Sequence, residues 1–339
     1  MNEAETRAEY VKAGAEELKL KKTTNILVIT LSNFGDVILT TPVIMALVRK
    51  YPEARMTVVV GPRARSVLQR SPDIHKIVIY DKKASFHEKL KFIAELRKVK
   101  YDHVVDLRNT VIPFLVSCKR RTPLFRKFTQ VNMRDRHLEM LHNVESDMPA
   151  SAPFHFFNKE DEVFAMRALE VAGILEKSGW ILVAPGAASE RKRWPVEHFK
   201  EVIRALHKRT GKKILLVGTL DERPVAENIL KEFPGIVGVF CGDLVLSETA
   251  ALIGKASLVV ANDSALMHLG FELGTPTVGI FGPTDHEKYG HAGSKFRIAR
   301  GDAQACSCRS EKLPRAERSC FHGLKPEKVT SLCMELLGR

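Results

Sequence analysis

Tryptophan and tyrosine are scarce in this chain, at 2 and 5 of 339 residues, and no stretch reads as a nucleic-acid recognition module or an aromatic stacking platform. A nucleic-acid partner is therefore not expected. Long apolar runs are missing as well. Ile26 to Leu31 and Thr277 to Phe281 are among the longest, far below the roughly 20 residues that a membrane-spanning helix needs. The first 22 residues alternate Glu with Lys and lack the apolar core of a secretory signal, so the chain is expected in the cytoplasm. The six cysteines show no framework spacing, which suits a reducing compartment. No G-x-G-x-x-G follows the first predicted strand, and this weighs against a nicotinamide or flavin cofactor in that half.

What is present is substantial. A chain of 339 residues with 45% hydrophobic content can bury more than one core, and chains of this size usually divide into two domains with a cleft between them. The formal net charge of +13 favours an acidic partner: nucleic acid, an anionic membrane surface or a phosphorylated substrate.

The pattern of elements is regular. Residues 3 to 22 read as an exposed helix, followed by a strand from Asn25 to Thr30, a polar turn Ser32-Asn33-Phe34-Gly35-Asp36 and a helix from Pro42 to Lys50. Met56 to Val60, Lys76 to Tyr80 and His103 to Asp106 read as further strands, with an amphipathic segment from Phe86 to Val99. The second half repeats the theme with strands at Ile181 to Ala184, Lys213 to Val217, Leu258 to Val260 and Thr277 to Phe281. Helices are expected at Val196 to Arg209, at Glu222 to Glu232 and from Asp263. This alternation predicts an α/β chain of two doubly wound parallel sheets. The expected divisions are an extension over 1–22, a first Rossmann-like domain over 23–160, a linker helix over 161–178, a second such domain over 179–325 and a C-terminal helix over 326–339.

Open parallel sheets bind ligands beyond the carboxyl ends of their strands, which directs attention to four loops. The first carries Asp36, as a chemical group or as an ordinary helix cap. The second, Pro185 to Pro195, places Arg191, Lys192 and Arg193 just before a helix, where Lys192 can reach a phosphate. In the third, Asp221 and Glu222 either accept from ribose hydroxyls or stabilise the next helix start. The fourth, Asn262-Asp263-Ser264-Ala265-Leu266-Met267-His268, runs from an apolar strand into a helix opening, a natural seat for an anion. Asp263 and Ser264 also read as plain capping residues, and His268 as a core histidine.

Taken in order, Ser32-Asn33-Phe34-Gly35-Asp36-Val37-Ile38-Leu39-Thr40-Thr41-Pro42, Pro185-Gly186-Ala187, Lys192-Arg193-Trp194-Pro195, Asn262-Asp263-Ser264 with His268, Gly274-Thr275-Pro276 and Phe281-Gly282-Pro283-Thr284 resemble the ADP-heptose:lipopolysaccharide heptosyltransferases of glycosyltransferase family 9. The resemblance spans roughly residues 25 to 330. It implies the GT-B architecture, with the acceptor on the first domain and the donor on the second. It also implies inverting transfer of heptose from ADP-heptose to the Kdo-bearing inner core of lipopolysaccharide. Asp36 then matches the catalytic base, and Lys192 the lysine at the donor diphosphate. Asp263, Ser264 and His268 match the donor-binding turn, and Asp221 and Glu222 the ribose contacts. Ala265 stands where the family commonly has glycine, so its methyl group would crowd the donor diphosphate. Ser32, Asn33, Arg120 and Arg121 are the expected acceptor contacts. The scheme requires no metal and leaves Mg²⁺ on the diphosphate open. Another nucleotide-sugar donor, or a silent nucleotide- or glycan-binding protein, remains the alternative.

Two further features stand outside those motifs. Lys119 to Arg136 holds seven Lys/Arg and one Asp, interleaved with Leu124, Phe125 and Phe128. It reads either as a solvated stretch or as a contact for an acidic lipid-linked acceptor or the anionic inner face of a membrane. Cys306, Cys308, Cys320 and His322 offer four zinc-type ligands at a spacing that is not a standard knuckle, with free thiols as the alternative.

Overall fold

The computed structural model describes residues 23–125, 127–142, 144, 147–150, 152–174, 179–302 and 320–338. The helix expected over 3–22 lies outside them, as do Cys306 and Cys308.

The first half contains β1 (Asn25–Ile29), α1 (Phe34–Ile38), α2 (Thr41–Lys50), β2 (Arg55–Val60), α3 (Arg65–Leu68), β3 (Lys76–Ile79), α4 (Phe86–Arg97), β4 (Tyr101–Asp106), α5 (Ile112–Leu115), β5 (Cys118–Arg121) and α6 (Met133–His142). Its strands pair in parallel in the order β3-β2-β1-β4-β5. After α7 (Lys159–Val171), the second half contains β6 (Trp180–Ala184), α8 (Val196–Thr210), β7 (Lys213–Leu216), α9 (Arg223–Glu232), β8 (Val237–Val239), α10 (Leu246–Lys255), β9 (Leu258–Asn262), α11 (Ala265–Glu272), β10 (Thr277–Phe281), α12 (His286–Tyr289), β11 (Phe296–Arg300) and α13 (Pro326–Leu336). Here the order is β11-β10-β9-β6-β7-β8, again parallel throughout.

Central strands such as β1, β6 and β9 are buried on both faces, as parallel sheets flanked by helices require, and their Val, Ile and Leu runs follow from that. Each sheet also has one place where the chain reverses its direction of travel. In the first it lies between β1 and β4, in the second between β6 and β9. Crevices open at the carboxyl ends of such strand pairs. The loops carrying Asp36, Lys192 and Asp263 all leave from them.

Several elements escape the sequence pattern for identifiable reasons. β5 reads Cys-Lys-Arg-Arg, the charged composition of a protected edge strand. β8 is only three residues long, and β11 is the opposite edge of the second sheet. α10 is apolar on most of its surface because it is buried between neighbours. The linker helix, expected over 161–178, spans Lys159–Val171. There Gly173 adopts φ +65°, its N–H donates to Glu170 O (2.9 Å), and the Ile174 N–H donates to Leu169 O (3.0 Å). That pair of bonds closes a helix.

The halves are joined by more than the chain. α7 receives Ser247 Oγ on Asp161 Oδ1 (3.0 Å) and pairs Glu162 with Lys255 (2.8 Å). Asn132 Nδ2 of the first half donates to Gly290 O (2.7 Å) and Glu287 O (3.1 Å), and Arg134 Nε donates to Glu272 Oε1 (2.9 Å). α13 packs into the core of the second half through Val329, Cys333 and Met334.

Candidate active site

The turn after β9 is built from the strand outward. Asn262 is fully buried; its Nδ2 donates to Pro185 O (2.7 Å) and its Oδ1 accepts from the Trp194 N–H (3.1 Å). One side chain thus fixes both ends of the loop after β6. Arg193 Nε closes the same loop internally on Ala187 O (2.9 Å). Lys192, in a short 3₁₀ turn between those ties, reaches across to place Nζ 2.8 Å from Asp263 Oδ2. Asp263 itself is buried, with its N–H on Ile280 O (3.0 Å). A carboxylate does not attract a diphosphate, so the side chain of Asp263 serves to hold the Lys192 ammonium in place.

Ser264 is the N-cap residue of α11, with an extended backbone (φ −145°, ψ 172°) and no cap bond from its hydroxyl. Its buried Oγ has no hydrogen-bond partner in the protein. The first turn of α11 therefore presents its N–H groups without a capping side chain, the arrangement that favours an anion. Ala265, at the first helical position, is half-buried and packed against the main core.

His268 lies one turn further in and is buried, with Nε2 3.8 Å from Asp263 Oδ1. Burial pulls its pKa down to about 4, against the opposing pull of Asp263 and Asp36, while Lys192 adds to the depression. The imidazole is neutral at physiological pH. Asp36 can act on His268 because the halves touch here. α1 packs against α11, and a Cβ placed on Gly35 would lie 3.0 Å from His268 Cδ2. Asp36 follows directly, half-buried in the first turn of α1, with Oδ2 accepting from Asn33 Nδ2 (2.8 Å). Asn33 makes no cap bond of its own, so the pair orients a carboxylate rather than capping a helix.

The sequence profile of glycosyltransferase family 9 (heptosyltransferase) matches residues 89–317 of the chain. The chain belongs to glycosyltransferase family 9. It is 28% identical over 280 residues to lipopolysaccharide heptosyltransferase 3 of Escherichia coli, covering 74% of this chain and 82% of that protein. The fold of this transferase is GT-B. It superimposes on the E. coli ADP-heptose lps heptosyltransferase II with TM-score 0.72 at 20% identity, covering 93% of this chain and 98% of that one. On the E. coli heptosyltransferase WaaC with ADP the values are 0.70 and 20%, covering 92% and 100%.

Other expected site residues of the transferase fall nearby or apart. Glu222 lies beneath the loop after β6, its carboxylate filling the space against Gly186 and Gly218, and it accepts from the Thr219 N–H (2.8 Å) in a capping box. Asp221 is exposed on the same 3₁₀ turn. Ser32 packs against Gly61, where a Cβ would come within 2.7 Å of its side chain. Arg120 and Arg121 are on edge strand β5, two strands from β1. Strand spacing puts them about 10 Å to the side of β1, level with Ile26 and Leu27 rather than with the Asp36 loop. Arg121 Nη1 donates to Pro113 O (2.9 Å), and its guanidinium covers the Phe114 ring at 5.1 Å. Among the described residues no three His, Cys, Asp or Glu side chains converge on a metal-sized site. Cys320 is half-buried and His322 is exposed, while Cys306 and Cys308 fall outside the described residues. Asn262, which ties the loop after β6 to the turn after β9, was visible as a polar residue ending an apolar strand, but its partners were not.

Proposed function

We propose that this transferase moves heptose from ADP-heptose to an acidic, lipid-linked acceptor of the lipopolysaccharide inner core, with inversion and with Asp36 as general base. The observation that carries the reading is the Gly35–His268 contact. It sets Asp36 of one half beside the first turns of the helix that Asp263 and Lys192 adjoin in the other.

In this scheme the acceptor hydroxyl forms a bond to the anomeric carbon of heptose while the bond from that carbon to the diphosphate oxygen breaks. Asp36, oriented by Asn33, takes the hydroxyl proton. The departing ADP gathers negative charge, which Lys192 and the N–H groups at the start of α11 stabilise from fixed positions. The neutral imidazole of His268 adds no charge and keeps the contact between halves dry. Glu222 shapes the donor loop from below, leaving the exposed Asp221 as the nearer carboxylate for the donor ribose. Ser32 and Asn33 would face the acceptor. No resident metal is needed, and Mg²⁺ would act only as a companion of the diphosphate. ADP release is the test, measured from ADP-heptose with and without a Kdo-bearing lipid A acceptor. Acceptor-dependent release is expected; release from a different nucleotide-sugar alone, or tight ADP binding without turnover, would replace this reading.

A further inference from the structure

Exposed large apolar side chains gather on one face of the first half. Phe86 and Leu90 lie one turn apart on α4, and Phe86 is 77% exposed. Val111, Phe114 and Leu115 line the outer side of α5, with Val111 60% exposed. The two helices pack together, and Arg97 Nε of α4 donates to Leu115 O (2.7 Å). At the other end the Arg108 guanidinium lies 5.3 Å from the Tyr80 ring, which stacks on Phe92 of α4. The segment after β5 adds Phe125, 92% exposed. Phe86 follows β3 and Val111 follows β4, so the face starts at the carboxyl edge of the sheet, from which the Asp36 loop also departs, and runs down to Leu115 beside the start of β4.

Cations accompany this face: Lys82 and Lys83 before α4, Arg97 at its end, and Arg120 and Lys119 on β5, the last paired with Asp102 (2.5 Å). The nearby acids are engaged locally. Glu88 accepts from the Ser85 N–H (2.8 Å) and Oγ (2.7 Å), and Glu95 is paired with Lys76 (2.6 Å). Apolar residues standing proud of a cationic rim match an anionic bilayer, where rings enter the headgroup boundary and ammonium groups meet phosphates. Among the described residues no helix is long and apolar enough to cross a membrane, so an interfacial contact is what this face provides.

We infer that the α4–α5 face is a docking surface for an anionic phospholipid bilayer, which seats the acceptor side of the cleft against the membrane holding its lipid-linked substrate. The role of the seat rests on the reaction proposed above; the surface itself does not.

The test is cosedimentation of the full chain with phosphatidylcholine vesicles, with or without phosphatidylglycerol. The wild type is compared with the triple variant Phe86→Ser, Leu90→Ser, Val111→Ser. Binding is expected only to the anionic vesicles, weakened by salt, and the variant should partition at least about tenfold less. The same variant should release ADP normally with a water-soluble, delipidated acceptor and slowly with the vesicle-embedded one. Retained binding by the variant, equal binding to neutral vesicles, or no wild-type binding at low salt would overturn the surface. So would a lipid-free dimer that the variant dissolves, because the face would then cover a second copy. If no acceptor elicits ADP release while vesicle binding and its loss both hold, the proposed reaction fails and the surface stands.

Discussion

Gly35 faces His268 across the two halves so closely that the smallest side chain would meet the ring at 3.0 Å. Glycine here permits contact rather than an unusual backbone. Gly35→Ala should push the halves apart by a few tenths of an ångström. Displacements of that scale between reacting groups erode rate steeply, so kcat/KM should fall about tenfold or more. Thermal unfolding should barely move, because few buried groups are lost. A large fall in melting temperature with unchanged kcat/KM would show that the contact is structural only.

Asp36→Asn keeps the bond partner of Asn33 but removes the proton acceptor. Turnover should drop by about 10²- to 10⁴-fold, the usual range for a general base, while ADP binding by calorimetry stays the same. Full turnover in the variant removes the base assignment.

Lys192→Ala takes away the proposed charge-assisted contact to the diphosphate and leaves buried Asp263 without its ammonium. ADP affinity should weaken by roughly 10- to 100-fold. Asp263→Asn, which frees the ammonium but relaxes its position, should weaken it less. Equal ADP affinity in wild type and Lys192→Ala would place the diphosphate elsewhere.

Asn262→Ala removes two hydrogen bonds in a fully buried setting and strands Pro185 O and the Trp194 N–H. Each stranded group costs roughly 1–3 kcal/mol, so chemical denaturation should show a loss of about 2–5 kcal/mol. ADP binding should weaken as well, because both ends of the Lys192 loop come loose. A stable variant with intact ADP affinity would show that the loop holds itself.

Much of this was open to reading from the residues alone. β-branched runs separated by amphipathic helices led to two parallel sheets, and polar loops following strands led to Asp36, Lys192 and Asp263. Short edge strands were not readable, since β5 owes its charge to its position and β8 has three residues. Nor was the Gly35–His268 contact, because the seating of one half on the other depends on α7 and on Asn132 and Arg134, which carry no motif. Glu222 shows how local geometry decides between equal readings: its carboxylate closes a capping box under Gly186.

The Arg134–Glu272 pair makes a pH prediction. Burial lifts the Glu272 carboxyl to about 7 despite the opposing guanidinium of Arg134. The folded protein therefore holds this proton where the unfolded chain, near the ordinary value of 4.5, has lost it. Its contribution to stability is complete below pH 4.5 and is lost as pH rises through about 7. Relative to Glu272→Gln, the wild type should lose about 3 kcal/mol across that window in denaturation series. A parallel pH dependence in the two proteins would contradict the buried, proton-holding state.

The tie made by Asn262 also constrains the order of assembly. Pro185 and Asn262 are 77 residues apart, and β9 takes its place between β6 and β10. A nascent chain that has completed β6, β7 and β8 still lacks the side chain that shapes the Lys192 loop. The Lys192 loop is therefore shaped late in synthesis, after the chain has passed β9, and a truncated product ending before it would fold part of a sheet without fixing that loop.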